Sequence, residues 1–191
     1  MMEKKLIIDK AFEMIEKTGW ENFSIVNLST IIEIDFLTLK KHFSSKNSII
    51  IEFSRMIDLK VEKLINLEEL KETSVKDNLF ELLMIRFESM TKYRNGLREI
   101  IKSDKVDPFL LKNISKNVIN SLDFYLEISN AYTGNYLDIV KKNSIFLIYC
   151  YVFNFWLDDD SSDLSKTMVK LDKTLSLSEK ILKRVDSLFT I

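Results

Sequence analysis

Apolar residues recur along this chain at intervals of three and four, the spacing that lines one face of an α-helix. Ile7, Ala11, Met14 and Ile15 outline a first helix, and Ile25, Leu28 and Ile32 a second. Leu37 and Phe43 bound a short third element over residues 35–41, and Ile49, Phe53, Met56, Ile57 and Leu64 hold one face of a longer one running to Leu67. Two short helices, a break of three or four residues and a long amphipathic helix are the layout of a helix-turn-helix head.

The pattern continues beyond residue 67. The polar stretch from Glu68 to Lys76 reads as a joint, with Thr73 or Ser74 able to cap a helix over residues 75–90. That helix breaks near Thr91 and Lys92, and another spans residues 93–103. Pro108 opens the next at its first turn behind Asp107, running to about Asn130. Residues 137–157 are apolar on nearly every side, so this helix needs cover on nearly every side. Its longest apolar run, Ile145 to Leu157, falls short of the roughly 20 residues that span a bilayer. An acidic loop, Asp158 to Asp163, then starts a last helix, with Asp160 or Ser161 as cap and Asp163 beside the positive end of its dipole. The last helix carries Leu164, Met168, Leu171, Leu175, Leu182, Val185 and Leu188 or Phe189.

Composition narrows this picture. Three glycines and one proline among 191 residues are too few for a sheet with many hairpins, so the chain reads as all-α with about nine helices. The single cysteine, Cys150, lies in an apolar run and reads as a small buried hydrophobe, which excludes a disulfide framework and fits a reducing, cytoplasmic setting. Acids at Glu3, Asp9 and Glu13, without a sustained apolar run, are unlike a signal peptide. Net charge is −1, and residues 1–65 hold ten Lys or Arg against ten Asp or Glu. A globally basic footprint is therefore absent.

The run Thr38-Leu39-Lys40-Lys41-His42-Phe43-Ser44-Ser45-Lys46 resembles the end of the DNA-binding head of the tetracycline-repressor (TetR) family of bacterial regulators, where Thr-Leu-Tyr-x-His-Phe-x-Ser-Lys is usual. Gly19-Trp20 and Phe23-Ser24-Ile25 are similar to that family's glycine turn and the start of its second helix, so the resemblance covers about the first 60 residues. Glu33 stands where the family usually has a turn glycine, Leu37 where a small residue is common, and Lys40 where a tyrosine that touches the DNA backbone is usual. A looser resemblance in the C-terminal half rests on Arg86-Phe87, Tyr93-Arg94 and Trp156 to Ser161. It points to the alphaproteobacterial TetR-like group related to the lipid-binding accessory proteins of coenzyme Q biosynthesis.

These resemblances imply a head over residues 1–50 and a ligand-binding and dimerisation body over residues 51–191. The body would form a homodimer through the last two helices, meeting as a four-helix bundle. In the head, Thr38 and Lys41 would approach base edges of operator DNA while Lys40, His42, Ser45 and Lys46 hold phosphates. In the aromatic body, Phe87, Phe124, Tyr125 and Tyr149 are candidates to line a pocket for a small apolar or lipid-like effector. Two functions stand: a ligand-responsive transcriptional regulator, and a lipid or isoprenoid-binding accessory protein that keeps the fold without binding DNA.

Catalysis finds no support in the residues. His42 is the one histidine and belongs to the head motif, the glycines are too scattered for a phosphate loop, and no Cys/His cluster exists to hold a metal. The expectation is a non-enzyme with no cofactor and no metal.

Overall fold

The computed structural model describes residues 4–189, and side chains as far as residue 185; the apolar positions expected at Leu188 and Phe189 lie outside the described side chains. Among the described residues the chain is all helical: α1 (Lys4–Thr18), α2 (Ile25–Ile31), α3 (Phe36–His42), α4 (Lys46–Glu62), α5 (Leu67–Glu72), α6 (Val75–Met90), a 3-10 turn (Thr91–Tyr93), α7 (Arg94–Lys102), α8 (Pro108–Ile128), α9 (Leu137–Leu157) and α10 (Ser165–Phe189). No helix among the described residues is long and apolar enough to cross a membrane. The chain divides into two compact units, one of residues 1–59 with 90–117 and one of residues 60–89 with 118–191.

The core of the first unit is built on α1, which buries Ile7, Ile8, Ala11, Phe12, Met14 and Ile15 and packs against α7. Phe12, Phe53 and Tyr93 form a ring cluster with centroids 4.5–5.1 Å apart. The Tyr93 hydroxyl donates to Asp9 at 2.6 Å, and Lys92 pairs with the same carboxylate at 2.9 Å. Burial alone would raise the Asp9 pKa, but these two partners outweigh it and hold the carboxyl below its ordinary value. Gly96 is what lets α7 approach α1, since a Cβ there would lie 2.8 Å from a Phe12 ring carbon and 3.3 Å from the Phe12 carbonyl oxygen. The Phe12 ring is confined by its neighbours and cannot yield. Gly96→Ala should therefore cost about 1–2 kcal/mol in urea unfolding, despite alanine's better helix propensity.

The second unit packs Leu82, Leu83 and Phe87 of α6, Leu122 and Tyr125 of α8, and Val152 and Trp156 of α9 into one core, with α9 lying along α10. Inside it, Arg86 is fully buried, its guanidinium donating to the hydroxyls of Tyr149 (3.3 Å) and Tyr125 (3.5 Å). The ring of Phe87 stacks on Tyr149 at 5.5 Å.

Three local features depart from the sequence expectations. The long fourth helix stops at Glu62, and the expected polar joint contains a helix of its own, α5. Asn66 caps it by accepting from the Glu68 N–H while donating to Glu69, and Leu70 anchors it by burial. Cys150 is exposed rather than buried, because it follows Leu147 by three residues and shares the uncovered side of α9. That helix, expected to be covered all round, leaves Ile139, Leu147, Tyr151 and Phe155 exposed.

The third departure is the acidic loop, where the capping falls to Asp159 and Asp163. Asp163 accepts from the Ser165 N–H at 3.1 Å. Asp159, buried, accepts from the Thr167 N–H (2.8 Å) and hydroxyl (2.5 Å), and from the Ser161 N–H (2.9 Å) and hydroxyl. Asp160 instead pairs with Lys166 on the surface. Between them Leu164 adopts φ 58°, a left-handed conformation unusual for a bulky side chain.

Candidate nucleic-acid interface

Two short helices, α2 and α3, and the start of α4 form the candidate surface, each begun by a polar side chain. Ser24 caps α2 by accepting from the Asn27 N–H at 3.1 Å, and Asp35 caps α3 by accepting from the Thr38 N–H at 2.9 Å. Ser45 and Ser48 cap α4 reciprocally, each hydroxyl accepting from the other's N–H at 3.2 Å.

The turn between α2 and α3 sets the angle at which α3 is presented. The Ile34 N–H donates to the Ser29 carbonyl and the Glu33 N–H to that of Thr30, the Schellman closure of a helix end. Glu33 occupies its left-handed position at φ 54°. The backbone thus keeps the conformation that a glycine would favour, with a side chain that disfavours it. Glu33→Gly should stabilise the protein by about 1 kcal/mol in chemical denaturation, with helical content unchanged.

On α3, Leu39 turns into the core while Leu37, Thr38, Lys40 and Lys41 face out, Leu37 being 65% exposed. The Thr38 hydroxyl is engaged with Asp35 at 3.2 Å, and the Lys40 ammonium lies 5.8 Å from the centre of the Phe36 ring. Lys41 has no ion-pair partner among the described residues. His42 is half-buried at the end of the helix.

Lys46 is placed differently from its neighbours. Its ammonium sits 4.5 Å above the Trp20 ring and donates to the Trp20 carbonyl at 3.1 Å. Burial lowers its pKa, with Glu21 opposing that shift. Phe23, Ser24, Phe36, Lys40, Ser45 and Lys46 surround a surface groove of about 400 Å³ that brings together the starts of α2 and α4. Helix starts present unpaired N–H groups and the positive end of a dipole, which suits an anionic oxygen. Of the residues expected to touch DNA, Lys40, Ser45 and Lys46 line this groove, while Thr38, Lys41 and His42 do not.

Residues far along the sequence complete the surroundings. Lys105 pairs with Glu21 at 2.8 Å, and Asp107 accepts from Asn47 in the first turn of α4 at 2.9 Å. These partners are invisible in the sequence, because separations of 84 and 60 positions leave no local signal. They also change the charge balance. With residues 90–117 included, the first unit holds fifteen Lys or Arg against twelve Asp or Glu, a net charge of +3, and the second holds thirteen against seventeen. The neutrality of residues 1–65 thus conceals a basic unit.

In the second unit, Phe87, Tyr125 and Tyr149 come together around Arg86 as packed core, whereas Phe124 is 38% exposed. A cavity of about 160 Å³ lies elsewhere in the same unit, and none of these four rings lines it.

No protein-family model matches the sequence, and no curated protein matches it. Among solved structures, the TetR transcriptional regulator from Nitrosomonas europaea ATCC 19718 is similar, with a TM-score of 0.77 at 18% sequence identity, over 91% of this chain and 96% of that one. At that identity the likeness bears on the fold. The arrangement of its helices, read together with the head motif from Thr38 to Lys46, makes this chain a TetR-like protein in fold.

Proposed function

We propose that this protein is a ligand-responsive transcriptional regulator that binds operator DNA as a homodimer. The observation that carries the reading is the basic unit: the positive charge collects in the unit that holds the helix-turn-helix, where a phosphate backbone would need it. This favours the regulator over the lipid-binding accessory protein.

In this reading α3 enters the major groove. Lys41 and Thr38 reach base edges, and exposed Leu37 meets a thymine methyl. Lys40, His42 and the start of α4 at Ser45 and Lys46 hold phosphates, which fixes orientation without reading sequence. The uncovered faces of α9 and α10 form the dimer contact. The homodimer then spaces two heads over a palindromic site, and an effector in the body alters that spacing.

Lys41→Ala and Thr38→Ala should each weaken operator binding by about 1–3 kcal/mol in a fluorescence-anisotropy titration, with the dimer intact by analytical ultracentrifugation. Operator binding unchanged in both variants would remove α3 as the recognition helix.

A further inference from the structure

The cavity in the second unit lies between α6, the end of α8, α9 and α10, and its surface is mainly apolar, with Leu79, Leu126, Ile145, Ile148, Leu175 and Leu182 among its lining side chains. Three lysines also border it, and each is already matched. Lys76 pairs with Asp172 at 2.7 Å and Lys183 with Glu179 at 2.7 Å. Lys141 donates to Asp138 (2.9 Å), the Ala131 carbonyl (2.8 Å) and the Thr133 hydroxyl (3.1 Å), which uses all three of its N–H groups. An anionic head group entering here would meet lysines whose charge a carboxylate of the protein already offsets, and on Lys141 no N–H group is left over.

We propose that this cavity binds a compact, uncharged apolar molecule of about six to eight carbon atoms, such as a single aromatic ring with a short substituent. The class follows from the wall and the volume together. A space of about 160 Å³ matches a benzene-sized guest, and a long acyl or isoprenoid tail would overfill it and leave most of its length in solvent at the open side. The Ser144 and Ser178 hydroxyls in the wall can each accept or donate one hydrogen bond, so a guest bearing one hydroxyl also fits. Four helices meet at the site, two of them carrying the uncovered apolar faces, so a guest that wedges them apart also acts on those faces. The role of this guest as effector rests on the regulator reading, whereas its binding does not.

Toluene serves as the probe and palmitate as the long anionic comparison, with the full chain and no DNA present. At ten-fold excess over its dissociation constant, toluene should raise the unfolding temperature by roughly 3–6 °C, and palmitate should not. Ala131→Leu fills the cavity from the loop after α8, and Ser178→Leu fills it from the half-exposed surface of α10. Whichever of the two keeps the helical circular dichroism of the parent should lose the toluene shift. No shift in the parent protein, a shift retained in a folded filled variant, or a larger shift with palmitate would overturn the assignment. Because DNA is absent, failure here leaves the regulator reading standing, and failure of operator binding leaves the cavity result standing.

Discussion

Asp159→Ala is expected to cost about 3 kcal/mol of stability, which for a chain of this size lowers the unfolding temperature by roughly 6–12 °C. The carboxylate is buried and accepts four hydrogen bonds, two from Ser161 and two from Thr167. Alanine leaves the Thr167 N–H and hydroxyl without an acceptor, and Thr167 is fully buried, so water cannot take over.

The same site makes stability depend on pH. Burial alone would raise the Asp159 pKa, but the bonds from Ser161 and Thr167 outweigh it and bring it down from 3.8 to about 2. A folded pKa below the unfolded one means that the contribution is fully present above about pH 4. It is lost as the pH falls toward 2, and amounts to about 2 kcal/mol. Urea unfolding at pH 7 and pH 2.5 checks both statements: Asp159→Ala should differ strongly from the parent at the first and much less at the second.

If this protein regulates as the proposed homodimer, Leu177→Glu in α10, paired with Leu147→Glu in α9, is expected to leave a monomer and to weaken operator binding at least 100-fold. Leu147 is 67% exposed and Leu177 59%, and Tyr151, Phe155, Val169 and Ile181 add to the uncovered surface of the same two helices. Burying glutamates in an apolar contact leaves charges without water or partners, which such an interface cannot tolerate. The loss at the operator follows because two half-sites must be held by one particle, and a monomer forgoes the second. Analytical ultracentrifugation reads the assembly and an anisotropy titration reads the operator. A variant that stays dimeric places the contact elsewhere.

The helices were legible where the signal is local. Asp107 and the apolar repeat over residues 75–90 mark an element start and a helix face with interactions spanning only a few residues, and each appears in place; Ser24, placed by the family resemblance, caps α2. Asn66 and Glu69 carried such a signal too, but the charged surroundings of α5 obscured a helix with one buried leucine. The basic unit could not be read, since it needs residues 90–117 brought beside residues 1–59 by the packing of α7 on α1. Nor could the interior of the second unit. Aromatic residues suggest a pocket by their chemistry, yet Phe87, Tyr125 and Tyr149 fill space while aliphatic side chains surround the cavity. Which rings pack and which groups leave room is decided by three-dimensional fit, on which periodicity is silent.

The most direct test is a titration of the purified protein against fragments of its own upstream DNA at 50 and 200 mM salt, with competitor DNA present. A regulator should show saturable binding that prefers one fragment and weakens steeply with salt, by nearly one logarithmic unit of slope for each phosphate neutralised. If no fragment binds better than competitor at the lower salt, the basic unit serves something other than an operator, and the regulator reading is contradicted.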